Sequence, residues 1–206
     1  LLGDVRGRRV LDGGCGPGLY LAELLTRGAQ AIGFDQSSDM VRLARQRLGP
    51  DVTIHQHDLD QPLDWLPDES IDLAVLALVI HYVRNRVAAL RELHRVLRPQ
   101  GRLVLSTSHP TADWLDDGGS YFDARHAQQQ WSCGMQHRFW RQPLQRWIEE
   151  FTAAGFTLDT LIEHQPQQAM AHRHPADYTR LSQEPGFIAF RLRKTPALSL
   201  TCEDAL

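Results

Sequence analysis

The sequence predicts an α/β fold in which helices cover both faces of a mostly parallel sheet. Short aliphatic segments alternate with amphipathic segments of helical period through the first half of the chain, as in parallel strands joined by helices. A glycine-rich loop connects the first strand to the first helix, and acidic residues follow the ends of the first three strands. Right-handed crossovers bring the carboxyl ends of parallel strands to one edge of a sheet. We therefore expect the glycines and the acids to meet at that edge.

Length and composition indicate one globular domain over residues 1–206. Hydrophobic residues make up 42% and charged residues 23%, and a net charge of −3 does not favour binding to nucleic acid or to an anionic membrane. Three scattered cysteines favour a reducing cytoplasm over a disulfide framework, and no segment has the pattern of a membrane span or signal peptide. We therefore expect a cytoplasmic protein. Because the first strand follows almost directly after Leu1, we also expect an upstream segment.

The first predicted strand is followed by a glycine-rich loop that leads into the first helix. Residues 9–11 predict a buried strand that ends at Asp12, and the apolar spacing over residues 19–25 predicts a helix. The connecting loop contains four glycines: Gly13, Gly14, Gly16 and Gly18. Glycine tolerates positive φ and lets a ligand approach the backbone, while the N–H groups and dipole of a helix N-terminus favour a negative group. This arrangement indicates a ligand-binding loop.

The second strand also ends on an acid. Residues 29–35 predict this strand, which ends at Asp35, and a helix over residues 40–48 follows with Ser37 or Ser38 as its cap. In nucleotide-binding α/β folds an acid at this tip accepts hydrogen bonds from ribose hydroxyls. The alternative is an acid that only stabilises the helix N-terminus. The residues expected on the inward face of the helix are Met40, Leu43, Ala44 and Leu48.

The third strand, predicted over residues 52–56, leads into a segment that could be mistaken for a metal site. It holds histidine and aspartate at short spacing: His55, His57, Asp58 and Asp60. Alternation along a strand sends neighbouring side chains to opposite faces, and no second acid–histidine pair accompanies the segment. We therefore expect no metal here.

Two further strands and a helix follow. Residues 70–78 are almost continuously apolar and predict a central strand, residues 88–98 predict an amphipathic helix, and residues 102–107 predict the fifth strand. Six arginines in this region could form an RNA-binding face: Arg84, Arg86, Arg91, Arg95, Arg98 and Arg102. A solvated helix face paired with nearby acids is the favoured interpretation.

Over residues 7–107 the chain resembles the class I S-adenosylmethionine-dependent methyltransferases, and among them the type 11-like family. The resemblance rests on V-L-D-G-G-C-G-P-G at residues 10–18 and on L-R-E-L-H-R-V-L-R-P-Q-G-R-L-V-L at residues 90–105. The usual Pro-Gly-Gly of the family is here Pro99-Gln100-Gly101. The resemblance implies a Rossmann-like, seven-stranded methyltransferase sheet that is mostly parallel, with an antiparallel last strand.

The resemblance also implies how the chain holds S-adenosylmethionine and the product S-adenosylhomocysteine. The glycine loop is expected to take the carboxylate of the amino-acid end, Asp12 its ammonium group and Asp35 the ribose. Asp58 is expected to bind the adenine amino group, with Leu59 packed on the ring. The remaining expected cofactor contacts are Gly14, Cys15, Gly16, Gly18, Gln36, Met40, Leu76, Ala77 and His81, with Leu76 and Ala77 acting through their carbonyl groups.

The second half of the chain changes character. Residues 109–142 are aromatic but aperiodic, which predicts a loop-rich functional insertion. The resemblance implies that this insertion covers the acceptor. Residues 143–154 predict a helix followed by Gly155. The last two strands of the sheet are expected over residues 156–163 and 187–193, and residues 195–206 are expected to form a mobile tail.

An acceptor hydroxyl or protonated nitrogen must lose a proton, and histidine suits that task at neutral pH. His81 follows the fourth strand and His109 follows the fifth, so both are candidate bases. Either could instead be a packing or capping residue. The insertion residues expected to contact the substrate are His109, Tyr121, Trp131 and Arg141. The low net charge and the aromatic insertion favour a small organic acceptor.

Three other functions compete with a small-molecule methyltransferase. A nicotinamide-dependent oxidoreductase is disfavoured because its fingerprint is G-x-G-x-x-G, whereas the loop here reads G-x-G-x-G. A methyltransferase acting on RNA or protein is the second alternative. The third is a non-catalytic module that binds S-adenosylmethionine. The oligomeric state and the methylated atom are left open.

Overall fold

The computed structural model describes residues 1–130 and 136–195. The strands in these residues are β1 (Arg9–Gly13), β2 (Gln30–Asp35), β3 (Thr53–Gln56), β4 (Ile71–Ala77), β5 (Leu97–Ser108), β6 (Arg125–Gln130), β7 (Gln136–Arg141), β8 (Phe156–Glu163) and β9 (Phe187–Lys194). Seven of them form one sheet in the order β3-β2-β1-β4-β5-β9-β8, and β6 pairs with β7 in a separate hairpin.

The direction of the strands confirms the predicted fold class. β1 to β5 pair in parallel with their neighbours in the sheet. The last strand, β9, is antiparallel to both β5 and β8. The carboxyl ends of β1 to β5 therefore meet at one edge, where ligands bind in sheets of this kind.

Helices cover both faces of the sheet. In chain order they are α1 (Leu19–Thr26), α2 (Ser38–Leu48), α3 (Arg86–Val96), α4 (Pro110–Asp117), α5 (Leu144–Ala153), α6 (Gln168–Arg173) and α7 (Pro175–Leu181). Apolar residues of α1 and α2 pack on one face of the sheet, and those of α3 and α5 pack on the other. Burying one apolar stripe of each helix against the sheet supplies most of the hydrophobic stabilisation.

The predicted inward face of α2 was partly wrong. Val41 and Ala44 are buried, whereas Met40 and Leu43 are 36% and 38% exposed. The helix begins at Ser38, and the Met40 N–H donates to the Ser37 hydroxyl, so Ser37 is the cap. The apolar stripe that faces the sheet consequently starts at Val41, one residue later than expected.

The helix predicted over residues 88–98 begins and ends two residues earlier in the structure. α3 begins at Arg86, where the Asn85 side chain accepts the Ala88 N–H at 3.2 Å, and it ends at Val96. Leu97 already belongs to β5. The residue before a proline disfavours helical backbone, which explains why the helix stops short of Pro99.

The insertion is not the loop-rich segment that its sequence predicted, because it contains α4 and the β6–β7 hairpin. Arg141 is 2% exposed and holds these elements together. Its guanidinium donates to the carbonyl groups of Gly118 and Ser120 and is ion-paired with Asp117 at 3.1 Å. The strands were missed because their sequences, R-H-A-Q-Q-Q and Q-H-R-F-W-R, lack apolar alternation.

Two short helices, α6 and α7, connect β8 to β9 where only a polar segment was expected. In the described part of the chain, no helix is long and apolar enough to cross a membrane. Apart from Thr195, the predicted mobile tail lies outside the described residues.

Candidate active site

Two adjoining cavities open at the carboxyl edge of the sheet. The first, the crevice, has a volume of about 240 Å³ and lies against the ends of β1 to β4. The second, the acceptor cavity, has a volume of about 750 Å³ and extends toward α4, β7 and α7. Leu78 and Tyr82 line both cavities, so they form the boundary between them.

The crevice brings together six of the residues predicted to hold the cofactor. These are Gly14, Asp35, Gln36, Asp58, Leu59 and Ala77. They come from the ends of four strands that are far apart in sequence. Their convergence is a direct result of the parallel strand order, since each strand delivers its carboxyl end to the same edge.

Three residues of the glycine loop lie in the left-handed region of φ, which favours glycine over residues with a Cβ. Gly14, Gly16 and Gly18 have φ values of +66°, +53° and +81°. A Cβ at Gly14 would lie 2.4 Å from the Val79 side chain, whereas a Cβ at Gly16 would meet no atom within 4 Å. Gly16 lines the acceptor cavity, so a side chain there would occupy ligand space.

Several loop N–H groups are already bonded within the protein. The Cys15 N–H donates to the Phe34 carbonyl at 2.9 Å, and the Gly18 N–H donates to the Cys15 carbonyl at 3.0 Å. The Gly16 N–H donates to Asp35 Oδ2 at 2.9 Å. The expectation that the loop as a whole presents free N–H groups to a carboxylate was therefore too broad.

Asp12 is a buried acid with an unsatisfied oxygen. It is 1% exposed, and Asp12 Oδ2 has no hydrogen-bond partner among the described residues. Burial, together with the nearby Asp35 carboxylate, raises the pKa of Asp12 to about 7. A cationic ligand group beside this oxygen would offset that cost, so the site fits the ammonium group of S-adenosylmethionine.

Four of the predicted cofactor residues do not line either cavity: Asp12, Cys15, Gly18 and Leu76. Cys15 is buried in the apolar cluster beneath α1 and α2. Burial and the carboxylates of Asp12 and Asp35 raise the pKa of its thiol to about 12. Leu76 packs on the opposite face of the sheet, which leaves only its backbone to face a ligand.

The possible metal segment is occupied by contacts within the protein. The His55 ring lies 4.2 Å from the Trp65 ring, and His57 Nε2 lies 3.3 Å from the Gln61 carbonyl oxygen. The Asp60 carboxylate accepts the N–H groups of Arg84 and Asn85 at 2.9 Å. Within residues 1–130 and 136–195, no group of three or more histidines, cysteines or acids is arranged to hold a metal ion.

His81 lines the acceptor cavity from the 3-10 turn Ile80–Tyr82. It is 4% exposed, and its Nδ1 lies 2.9 Å from Thr107 Oγ1. Burial, with a contribution from His137, lowers the pKa of His81 to about 4. The ring is therefore neutral at pH 7, but it accepts a proton weakly.

Three of the four predicted substrate residues serve the structure of the insertion. His109 caps α4: its Nδ1 accepts the Thr111 N–H at 3.1 Å, and its Nε2 lies 3.0 Å from Glu163 Oε1. The Tyr121 hydroxyl accepts the Leu144 N–H at 3.1 Å, and Arg141 is buried as described. None of His109, Tyr121 and Arg141 lines the acceptor cavity. Trp131 lies outside the described residues.

Besides the predicted residues Gly16, Met40 and His81, the acceptor cavity is lined by residues that the sequence did not single out. The Tyr82 hydroxyl and His137 Nε2 form a hydrogen bond, and the His137 ring stacks on Phe139 with centroids 4.8 Å apart. Asp113 also lines the cavity. Tyr82 could have been predicted from the sequence because it directly follows the candidate base His81. His137 and Phe139 could be predicted only if the β6–β7 hairpin had been recognised.

The first half of the chain is similar in sequence to known methyltransferases. A family model described as a methyltransferase domain matches residues 11–105. Trans-aconitate 2-methyltransferase of Azoarcus sp. is 41% identical over 98 residues, 47% of this chain and 37% of that protein. Malonyl-[acyl-carrier protein] O-methyltransferase of Serratia marcescens is 35% identical over 104 residues, 49% of this chain and 38% of that protein. The chain thus spans less than half the length of either relative.

A solved structure extends the similarity to the whole fold. The S-adenosylmethionine dependent methyltransferase from Mesorhizobium loti superposes with a TM-score of 0.75 at 26% sequence identity. The match covers 93% of this chain and 93% of that chain. The structural similarity therefore extends beyond residue 105, where the family match ends.

Proposed function

The chain belongs to the class I S-adenosylmethionine-dependent methyltransferases, and on that basis we propose that it transfers a methyl group to a small-molecule acceptor held in the acceptor cavity. The observation that carries this proposal is the pair of adjoining cavities at the carboxyl edge. The crevice is built from the predicted cofactor residues, and the acceptor cavity meets it at Leu78 and Tyr82. A methyl group exchanged between two ligands would cross at this boundary.

The residues of the crevice suit binding and orientation of the cofactor. Asp35 faces the crevice with both oxygens held by the N–H groups of Gly16 and Ser37, so its position is fixed. Each of its oxygens keeps capacity to accept a ribose hydroxyl. Asp58 and the buried side chain of Leu59 offer an acceptor and an apolar surface for adenine.

S-adenosylmethionine supplies an activated methyl group on a sulfonium, so the main task of the chain is to align the acceptor and exclude water. The insertion serves this task because Phe139 of β7 and Asp113 of α4 wall the acceptor cavity. His81 faces the cavity as a neutral ring, so its role as a base stays a prediction. His109 has both ring nitrogens engaged, which favours a structural role.

A small acceptor is supported by one relative and by the charge of the chain. The name of the Azoarcus relative refers to trans-aconitate, a small organic acid, whereas that of the Serratia relative refers to a malonyl group carried on an acyl-carrier protein. The net charge of −3 does not favour RNA. We expect S-adenosylmethionine as cofactor and no metal, nucleic-acid or membrane partner.

Titration calorimetry with S-adenosylhomocysteine and, separately, with NAD tests the cofactor assignment. We expect only S-adenosylhomocysteine to bind, and at about 100 times its Kd it should raise the free energy of unfolding by about 2.7 kcal/mol. Binding of NAD without S-adenosylhomocysteine would overturn the assignment.

The acceptor class is tested with methyl-tritiated S-adenosylmethionine and a cell extract separated into small molecules, RNA and protein. We expect label in the small-molecule fraction. Label confined to RNA or protein would contradict a small acceptor, and no transfer to any fraction would favour a non-catalytic module.

A further inference from the structure

The acceptor cavity contains a half-buried carboxylate, Asp113, that forms no ion pair among the described residues. Asp113 lies in the first turn of α4, directly after β5, and its Oδ2 accepts the Ser108 hydroxyl at 3.1 Å. Among the described residues no arginine, lysine or histidine is ion-paired with it, because the neighbouring Arg141 pairs with Asp117. Burial raises the pKa of Asp113 to about 6, and the nearby carboxylates of Asp116 and Asp117 act in the same direction. The Ser108 hydrogen bond and the positive charge of Arg141 oppose this rise without cancelling it.

A helix N-terminus alone does not explain this placement. An acid in the first turn stabilises a helix from an exposed position just as well. Asp113 instead faces a cavity of about 750 Å³. A desolvated carboxylate costs free energy unless an opposite charge approaches it. The cavity therefore favours a ligand that brings a positive charge to Asp113.

Aromatic rings line the same cavity as this carboxylate. Tyr82, His137 and Phe139 line the same cavity, with the Tyr82 and His137 ring centroids 5.3 Å apart. Phe187, which is 41% exposed, adds a fourth ring. Aromatic faces bind flat apolar groups and attract cations through their quadrupoles.

The remaining charges of the lining do not reverse this preference. Burial lowers the pKa of both His81 and His137, so neither ring adds positive charge at neutral pH. Arg180 of α7 is exposed, and the exposed Asp116 accepts a hydrogen bond from Gln129 Nε2 at 3.1 Å. Exposed charges are screened by solvent and salt, so the half-buried carboxylate contributes most.

We propose that the acceptor is a flat, largely apolar molecule carrying a protonated amine, and that Asp113 binds the amine while Tyr82, His137 and Phe139 enclose the apolar part. This inference rests on the proposed function, since it names the substrate class of the same site. The organic acids in the names of the relatives do not bear on it. The family match ends at residue 105, whereas Asp113, His137 and Phe139 lie beyond that point.

Three probes that share an indole ring and a two-carbon arm test the proposal: tryptamine, tryptophol and indole-3-propionate. Each is titrated calorimetrically into the full chain saturated with S-adenosylhomocysteine. We expect tryptamine to bind about tenfold more tightly than tryptophol, and indole-3-propionate to bind more weakly than either, because only the amine forms a charge-assisted hydrogen bond.

Variants identify the responsible group. Asp113→Asn keeps an acceptor for the Ser108 hydroxyl but removes the charge, so the preference for tryptamine over tryptophol should fall below about twofold. Asp177→Asn is the matched control, because Asp177 is also a first-turn acid, on α7, but is exposed and does not line the cavity. That variant should keep the full preference.

The outcomes separate this inference from the proposed function. Tighter binding of indole-3-propionate, a tryptamine preference that survives Asp113→Asn, or no binding of any probe would overturn the amine proposal. If Asp113 binds the sulfonium instead of the amine, Asp113→Asn weakens S-adenosylmethionine binding and leaves S-adenosylhomocysteine binding unchanged. That result would also overturn the amine proposal. Unchanged S-adenosylhomocysteine affinity shows that the variant is folded. Failure of the wild type to bind S-adenosylhomocysteine would instead reject the proposed function, and the amine proposal with it.

Discussion

Asp35 links two parts of the site through one carboxylate. Its Oδ2 accepts the Gly16 N–H and its Oδ1 accepts the Ser37 N–H, each at 2.9 Å. The same side chain lines the crevice. The carboxylate therefore fixes the glycine loop against the start of α2 while it remains available to a ligand. A residue with both roles ties the shape of the loop to the binding of the cofactor.

Replacement of Asp35 tests the proposed ribose contact. Asp35→Ala should weaken binding of S-adenosylhomocysteine by about 1–3 kcal/mol, because charge-assisted hydrogen bonds to the ligand and to the loop are lost. Titration calorimetry measures this loss. Asp39→Ala is the control, since Asp39 is an exposed first-turn acid of α2 whose carboxylate pairs with Arg42. Equal affinities for the Asp35 variant and the wild type would show that the ribose lies elsewhere.

At the level of elements, α4 depends on its cap. His109 Nδ1 accepts the Thr111 N–H, and Pro110 occupies the first position of the helix. His109 Nε2 faces Glu163 at the end of β8. The imidazole thus joins the start of the insertion to the edge of the sheet. Since α4 carries Asp113, this cap also sets the position of the acceptor cavity wall.

Two substitutions distinguish a capping role for His109 from a catalytic one. His109→Leu should lower the free energy of unfolding by about 1 kcal/mol, because the Thr111 N–H loses its acceptor. His109→Asn should retain most of the stability, since asparagine is a good N-cap and the pairing with the exposed Glu163 contributes little. Urea denaturation measures both values. A His109→Asn variant that is fully stable but unable to transfer a methyl group would favour the predicted catalytic role.

At the scale of the whole molecule, burial of Asp12 couples the site to global stability. The unfolded chain ionises this carboxyl near its ordinary pKa of 3.8, whereas the folded protein raises the pKa to about 7. Between these values the folded state holds a proton that the unfolded state has released. The free energy of unfolding therefore falls as pH rises through this window and levels off above it.

The variant Asp12→Asn should remove this pH dependence. Its stability relative to the wild type should increase by on the order of 2–3 kcal/mol between pH 5 and pH 7.5, measured by chemical denaturation at both values. Asp113, whose raised pKa acts in the same direction, remains in both proteins and cancels in the comparison. The same variant should bind S-adenosylhomocysteine more weakly, since the ligand ammonium loses its counter-charge. A stability difference that does not change with pH would contradict the buried, protonated Asp12.

The sequence by itself determined the sheet and six residues of the crevice. Gly14, Asp35 and Asp58 each lie at the end of a strand that local hydrophobic pattern predicts. A parallel α/β topology then brings such ends together without any knowledge of side-chain contacts. The positions of these residues could be predicted because the hydrophobic periodicity locates each strand, and the order of strands and helices along the chain brings the strand ends to one edge.

Only the tertiary structure decided the acceptor side. Arg141 is buried and binds other residues of the insertion, whereas Asp113 and His137 line the acceptor cavity. Which of these polar residues faces a ligand depends on the pairing of β6 with β7 and on the packing of α4. Those contacts join residues distant in sequence, and the polar strands of the hairpin carry no local periodicity that could reveal them.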